Sequence, residues 1–159
     1  MAAGALAPLV GAYLDELAQQ RRQSPHTVSS YRRDLGVLGR LIDELPGHSY
    51  STLQAAHIRR FVAQLHARGL AGRSLARTLS AWRGFYRWLG RRGEVGVNPV
   101  EGVRAPRSPQ ALPKVLSPDE ASRLLDDAGG EVADIRDQAM FELFYSSGLR
   151  LAELAALDL

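Results

Sequence analysis

The residues from Arg73 to Gly93 carry an apolar stripe that only a helix can gather on one face. At about 100° per residue, the stripe spans an arc of about 80° and contains Leu75, Leu79, Trp82, Tyr86 and Leu89. The opposite arc contains Arg73, Arg77, Ser80, Gly84, Arg87 and Arg91. A strand alternates at every second residue and would mix these two sets. The pattern therefore predicts a helix that packs by its apolar face and presents arginines on the other.

Glycine and proline divide the preceding residues into similar helices. Ser24-Pro25 is typical of a helix start, with a capping side chain and a proline at the first helical position. The predicted helices cover about residues 8–22, 25–45, 55–68 and 73–93, and no stretch among them alternates like a strand. Four helices joined by short connections predict an all-α fold whose N-terminal part is a four-helix bundle.

The segment of residues 98–114 differs from what precedes it. It carries four prolines, at positions 99, 106, 109 and 113, and has little apolar content, which predicts an extended linker between domains. After it, Ser117-Pro118-Asp119-Glu120 indicates a new helix start. Further helices are predicted from about residue 133 and about residue 150. We therefore expect a helical domain over residues 1–97, a linker over 98–114 and a second helical part over 115–159.

The second predicted helix repeats the division of faces seen in the fourth. Its apolar stripe contains Val28, Tyr31, Leu35, Leu38 and Ile42, and its other side contains Ser29, Arg32, Arg33, Gly36 and Arg40. The arginine face of the fourth helix has no acid among its residues to pair with, and the arginine face of the second helix is also expected to be uncompensated. Gly84 lies on such a face in mid-helix, where glycine costs about 1 kcal/mol relative to alanine, which suggests that something approaches closely there.

Charge is divided unevenly along the chain. Residues 1–104 carry 15 arginines against seven acids, a net charge of +8, whereas residues 105–159 have a net charge of −5. A basic half with two arginine faces predicts duplex DNA as a partner, with contacts to phosphates and to base edges. The predicted DNA-binding residues are Ser29, Arg32, Arg33, Arg40, Arg73, Arg77, Arg87 and Arg91. The alternative is that arginine simply solvates the surface of a protein that has a single lysine.

The composition excludes several classes of function. The chain has no cysteine, which removes disulfides and thiolate metal sites and fits a cytoplasmic protein. No run approaches the roughly 20 apolar residues of a membrane span, and the first residues lack the basic leader of a signal peptide. The four histidines have no ligand spacing, so we expect no bound metal. Because no long apolar run is present, we also expect no membrane partner.

Near the end of the sequence, an apolar helix leads into Gly148 and then Arg150. Glycine is the usual residue at a left-handed helix end, and Glu153 is placed one turn on, where its carboxylate can orient the Arg150 guanidinium. An arginine held in this way suits bidentate binding of a phosphate. The alternative is an ordinary surface ion pair, which contributes little to stability.

The second and fourth predicted helices each carry two motifs. Those of the second helix are Ser24-Pro25-His26-Thr27-Val28 and Tyr31-Arg32-Arg33-Asp34-Leu35, and those of the fourth helix are Ser74-Leu75-Ala76-Arg77 and Phe85-Tyr86-Arg87-Trp88-Leu89. They resemble the core-binding (SAM-like) domain of tyrosine recombinases of the Xer type, in the phage integrase family. Asn98-Pro99 and Leu112-Pro113-Lys114 resemble the linker of that family. Arg136-Asp137 and the run from Tyr145 to Leu154 resemble the start of its catalytic domain.

The resemblance implies an enzyme that cuts and rejoins DNA through a phosphotyrosine link, without a metal or nucleotide cofactor. It implies that Arg150 is a catalytic residue, supported by Glu153, that neutralises charge on the scissile phosphate. It also implies a XerD-like recombinase partner and a tetramer of homologous protomers on DNA, acting to resolve chromosome dimers.

The family's lysine, its His-x-x-Arg helix and its tyrosine nucleophile have no counterpart within these 159 residues. By the resemblance, we expect residues 115–159 to be the truncated start of a catalytic domain, and these residues alone to be unable to perform the chemistry. The alternative function is a standalone DNA-binding module that occupies a recombination site without cutting it. The sequence of the gene after codon 159 would separate these two interpretations.

Overall fold

The computed structural model describes residues 3–19, 23–107, 115–126 and 132–157. The regular elements of these ranges are all helices, which confirms the predicted all-α fold. The chain separates into two compact units, residues 1–109 and 110–159. The first contains α1 (Ala3–Gln19), α2 (Pro25–Asp43), α3 (Ala55–Ala67) and α4 (Gly72–Arg91), and the second contains α5 (Pro118–Asp126), α6 (Val132–Ser147) and α7 (Leu151–Leu154). Among the described residues, no helix contains an apolar stretch that could span a lipid bilayer.

α1 begins five residues before the predicted start at Pro8, which lies inside the helix. A proline there removes a backbone donor and disfavours the preceding turn. Leu6, however, extends the apolar stripe one turn upstream and is buried with Tyr13, Leu14 and Leu17 in the core. Burial of a leucine contributes about 1.5–3 kcal/mol, which offsets much of the cost of the proline.

The start of α2 matches the sequence prediction. The Ser24 Oγ accepts a hydrogen bond from the backbone N–H of Thr27 at 3.2 Å, and Pro25 occupies the first helical position. The helix ends at Asp43, two residues before the predicted end. α3 ends before Gly69, whose φ of 92° is accessible at little cost only to glycine.

The core of the first unit is formed by one face of each of the four helices. The predicted apolar stripe of α4 is buried throughout, and Thr78, Phe85 and Trp88 are buried beside it. Tyr13 of α1 contacts the rings of Phe85 and Trp88, at centroid distances of 5.5 Å and 5.8 Å. α2 contributes Leu35, Leu38, Leu41 and Ile42. The periodicity therefore identified the inward faces, and the predicted four-helix bundle is observed.

The first residues of the predicted linker belong to the bundle. Val100 and Val103 are buried in the core, and the Arg83 guanidinium donates to the carbonyl oxygen of Val103 at 3.0 Å. The Asn98 side chain donates to the carbonyl oxygen of Arg83 at 3.3 Å. The expectation of an extended linker from residue 98 is wrong for residues 98–103, because two valines and an asparagine attach this segment to α4. Residues 104–107 are described without regular secondary structure, and residues 108–114, the end of the predicted linker, lie outside the described residues.

The second unit begins with the helix start that the sequence predicts. The Ser117 backbone N–H donates to the Glu120 carboxylate at 2.8 Å, and the Glu120 N–H donates back to the Ser117 Oγ at 3.3 Å. The hydrogen bonds that the Ser117 N–H and hydroxyl donate to the carboxylate lower the pKa of Glu120 below its usual value. The Gln138 amide of α6 donates to the carbonyl oxygen of Leu125 in α5 at 2.7 Å. Within the described part of this unit, no side chain is fully buried.

Candidate nucleic-acid interface

The eight residues predicted to bind DNA are all exposed on the outer faces of α2 and α4. The two helices pack against each other within the first unit, and their basic faces meet at Ser30. There, Arg77 Nη1 donates to the Ser30 carbonyl oxygen at 3.4 Å, and Arg33 Nη2 donates to the Ser30 Oγ at 3.3 Å. The structure therefore brings Arg33 and Arg77 together from different helices.

The helix patterns alone suggested that the arginine faces lack acidic partners, but three of these arginines have one in the structure. Arg77 forms an ion pair with Asp34 of α2. Arg87 lies 3.5 Å from a carboxylate oxygen of Glu101, and Arg91 lies 3.4 Å from one of Glu16. The expectation of uncompensated faces is wrong because each acid lies outside the helix that carries its arginine. The pattern of one helix by itself does not reveal such partners.

Four of the predicted arginines form no salt bridge among the described residues: Arg32, Arg33, Arg40 and Arg73. Their charges are not offset by an ion pair in the described part of the chain, so they can neutralise phosphates. By contrast, the Arg87–Glu101 pair is exposed on both sides, so water screens it and the pair contributes little to stability. The basic surface thus combines uncompensated arginines with arginines whose position or charge is modified by a neighbour.

Asp34 is the residue of this region that the sequence analysis did not single out. Its side chain is only 6% exposed, and its Oδ1 accepts from the Thr78 hydroxyl at 3.0 Å. Burial raises the pKa of Asp34 above its usual value, although Thr78, Arg77 and Arg33 act in the opposite direction. A signal was present in the sequence, because Asp34 lies three residues after Tyr31 and four before Leu38, on the apolar side of α2.

The close approach inferred at Gly84 comes from inside the protein. The nearest atom to a Cβ added at this glycine belongs to the Tyr13 hydroxyl of α1. The expectation that a side chain is absent because something approaches is confirmed, but the approaching group is part of the bundle. Gly84 is therefore explained by helix packing between α1 and α4.

The Arg150 region of the second unit has the local geometry that the sequence suggests. Gly148 adopts a φ of 65° after α6. The Glu153 carboxylate accepts from the Arg150 backbone N–H at 2.7 Å and from Arg150 Nη1 at 3.1 Å. The Arg150 side chain is 84% exposed, so most of its guanidinium donors face solvent. Such an arrangement can bind an anion, since the carboxylate orients the guanidinium without covering it.

Residues 10–93 match the family model described as phage integrase, N-terminal SAM-like domain. This match runs from α1 to just after α4 and covers more than half of the chain. The chain belongs to the phage integrase family of tyrosine recombinases. The family resemblance of the sequence motifs is thereby confirmed.

Among recombinases of this family, the chain is similar to tyrosine recombinases named XerC. It is 52% identical to the XerC of Ralstonia pickettii over 155 residues. The matched region covers 96% of this chain and 47% of the relative. It is 46% identical over 149 residues to that of Azotobacter vinelandii, which covers 93% of this chain and 50% of the relative. The chain therefore spans about half the length of the relatives it matches.

A solved integrase has a similar fold. The integrase from mycobacterium phage Brujita matches with a TM-score of 0.54 and 21% sequence identity, over 92% of this chain and 47% of that one. At this identity the likeness concerns the fold alone, and it agrees with the helical architecture described above.

Proposed function

We propose that the first unit binds duplex DNA through the outer faces of α2 and α4, as part of a site-specific recombinase similar to XerC. The observation that carries this proposal is the meeting of the two basic faces at Ser30, which both Arg33 and Arg77 contact. Two helices joined in this way form one continuous basic surface. Residues 1–104, which contain it, have a net charge of +8, the kind of charge that attracts a polyanion.

The arginines of this surface are suited to two kinds of contact. Arg32, Arg40 and Arg73 supply full positive charge and suit contacts to backbone phosphates, which provide affinity. Arg77 is fixed by other groups of the protein and suits a contact whose direction matters, such as the edge of a base. Arg87 and Arg91 contribute donors while their charge is partly offset by Glu101 and Glu16.

We propose that Arg150 binds the scissile phosphate in the recombinase, with Glu153 orienting its guanidinium. The exposed side chain and the two hydrogen bonds to Glu153 support this role. A guanidinium in this position stabilises the negative charge that develops on the phosphate during transfer. The proposed biological activity is resolution of chromosome dimers in the cytoplasm, together with a XerD-like partner and in a tetramer of protomers on DNA.

DNA binding is tested with two double variants of the whole chain that remove the same charge. In Arg40→Ala/Arg73→Ala the substituted arginines lie on the proposed surface, and in Arg59→Ala/Arg60→Ala they lie exposed on α3. Binding to a fluorescent duplex is measured over a range of salt concentrations. We expect the first variant to reduce the slope of log K against log salt by about 1 for each phosphate that is no longer neutralised, and the second to reduce it less.

Equal effects of the two variants would show that binding does not involve this surface. If the unaltered chain binds no duplex at low salt, DNA binding itself is excluded. For the recombinase as a whole, the test is the gene sequence after codon 159. An open frame that encodes His-x-x-Arg and a later tyrosine supports the proposal, whereas a stop codon there favours a DNA-binding module without cutting activity.

A further inference from the structure

Beneath the basic surface, a buried carboxylate connects α2 to α4. Both oxygens of Asp34 are occupied, one by the Thr78 hydroxyl and one by the Arg77 guanidinium. The backbone carbonyl oxygen of the same residue accepts from the indole N–H of Trp82 at 2.8 Å. The aspartate is thus held by residues on successive turns of α4, and its own position is fixed.

Arg77 is fixed in turn, but only on one side. Its Nη1 donates both to Asp34 and to the Ser30 carbonyl oxygen. Its side chain is still 43% exposed, and no hydrogen bond from Nε or Nη2 is found among the residues that the structure describes. A guanidinium carries its five N–H donors in a rigid plane. Fixing Nη1 therefore also restricts the direction of the donors on Nε and Nη2.

The pairing also changes what Arg77 can contribute to binding. The charge of Arg77 is offset by a carboxylate that stays beside it, so the pair adds little to the net attraction of a polyanion. What remains is a directed set of hydrogen-bond donors on a rigid helix. Bidentate donation by arginine to the O6 and N7 of guanine is the interaction for which such a geometry is suited.

We propose that Asp34 is a positioning residue that fixes Arg77 for a directional contact with base edges, and that it thereby determines DNA sequence specificity more than affinity. This inference rests on the proposed function of the first unit. It assigns to a buried acid, which by charge alone opposes DNA binding, a role in choosing the DNA sequence.

The test compares specificity in variants of the whole chain. A preferred duplex is first selected by the unaltered protein from a pool of randomised duplexes, and dissociation constants are then measured for that duplex and for a scrambled one. The variants are Asp34→Asn, which removes the carboxylate charge, Arg77→Lys, which keeps the charge of the arginine but not its planar fork, and the double variant. Circular dichroism under the binding conditions confirms that the compared proteins are folded.

We expect Asp34→Asn to lower the ratio of the two affinities about tenfold, in the range of discrimination that one bidentate pairing with a base provides. Its binding to the scrambled duplex is expected to be unchanged or slightly tighter, because the protein gains one net positive charge. Arg77→Lys is expected to lower the ratio to a similar extent, and the double variant no further, since Asp34 acts through Arg77.

Different results identify which statement fails. If Asp34→Asn changes the affinity for both duplexes by the same factor, in either direction, the ratio of the affinities is unchanged. That result would overturn the positioning role. If Asp34→Asn does not fold, an unchanged ratio in Arg77→Lys overturns it. If the unaltered chain binds no duplex, the proposed function fails together with the inference.

Discussion

The hydroxyl oxygen of Tyr13 lies 2.6 Å from the position that a Cβ atom would take on Gly84. The tyrosine belongs to α1 and the glycine to the middle of α4, so the two helices come close together where one of them has no side chain. The Tyr13 ring is buried against Phe85 and Trp88. It therefore has little freedom to move aside.

Substitution of Gly84 by alanine is expected to destabilise the first unit. The added methyl group would overlap with Tyr13, and overpacking of this kind costs about 1–3 kcal/mol, which exceeds the gain of about 1 kcal/mol in helix propensity. The measurement is the free energy of unfolding in urea. Gly36→Ala in α2 is the matched control, because no atom lies within 4 Å of its added Cβ. It should stabilise the protein, and equal effects of the two substitutions would contradict the packing explanation.

Substitution of Arg77 by alanine should leave Asp34 buried without the guanidinium that is paired with it. We expect a decrease of about 1–3 kcal/mol in the free energy of unfolding at pH 7. The pKa of Asp34 is already raised by burial, and removal of the arginine raises it further. The folded state then binds a proton more readily than the unfolded state. The contribution of Asp34 to the free energy of unfolding is therefore most favourable below its unfolded pKa, and it declines as the pH rises through the folded pKa.

The destabilisation in Arg77→Ala is therefore expected to shrink as the pH is lowered from 7 towards 5, as measured by urea unfolding followed through tryptophan fluorescence. The control is Arg87→Ala, whose partner Glu101 is exposed. That substitution should change stability by less than about 0.5 kcal/mol at either pH. If the loss of unfolding free energy in Arg77→Ala does not change with pH, Asp34 is not the group involved.

The hydroxyl of Ser24 is expected to stabilise α2 from its first turn. Ser24→Ala removes the acceptor for the Thr27 N–H and should lower the free energy of unfolding by about 1 kcal/mol. Ser29→Ala, at an exposed position inside the same helix, provides the comparison and should have an effect within about 0.5 kcal/mol. If both serines behave alike, the cap does not account for the start of this helix.

The second unit is expected to lack a cooperative unfolding transition when it is prepared alone. Tyr145 and Leu151 are 68% and 73% exposed, and no described side chain of this unit is fully buried. Little apolar surface is then available to offset the loss of chain entropy on folding. Thermal melting followed by circular dichroism is the measurement for residues 110–159, with residues 1–109 as the control that should melt cooperatively. A sharp transition for residues 110–159 would contradict this prediction.

Much of the first unit could be predicted because its information is local. The stripe from Leu75 to Leu89 and the Ser24-Pro25 cap involve residues three or four positions apart, where helical geometry alone decides which side chains meet. The link between Arg150 and Glu153 was predictable for the same reason. All three features are present in the structure.

What could not be predicted depends on contacts between residues far apart in the chain. Nothing near Asp34 in the sequence indicates that Thr78, Trp82 and Arg77 would surround it, since these partners lie 43 to 48 residues away. The same holds for Val100 and Val103, which short-range composition placed in a linker and which the core of the bundle buries.

The helices, their inward faces, the net basic charge of the first unit and the motifs that place the chain among tyrosine recombinases all follow from the sequence. The packing of the helices is needed to learn which arginines are offset by a carboxylate, which neighbour accounts for Gly84 and where the bundle ends. Helix formation and capping act over one turn, whereas charge compensation and close packing depend on which elements meet. The basic surface is thus readable from the sequence, but the difference between Arg73, without a described carboxylate partner, and Arg77, fixed by Asp34, is a property of the fold.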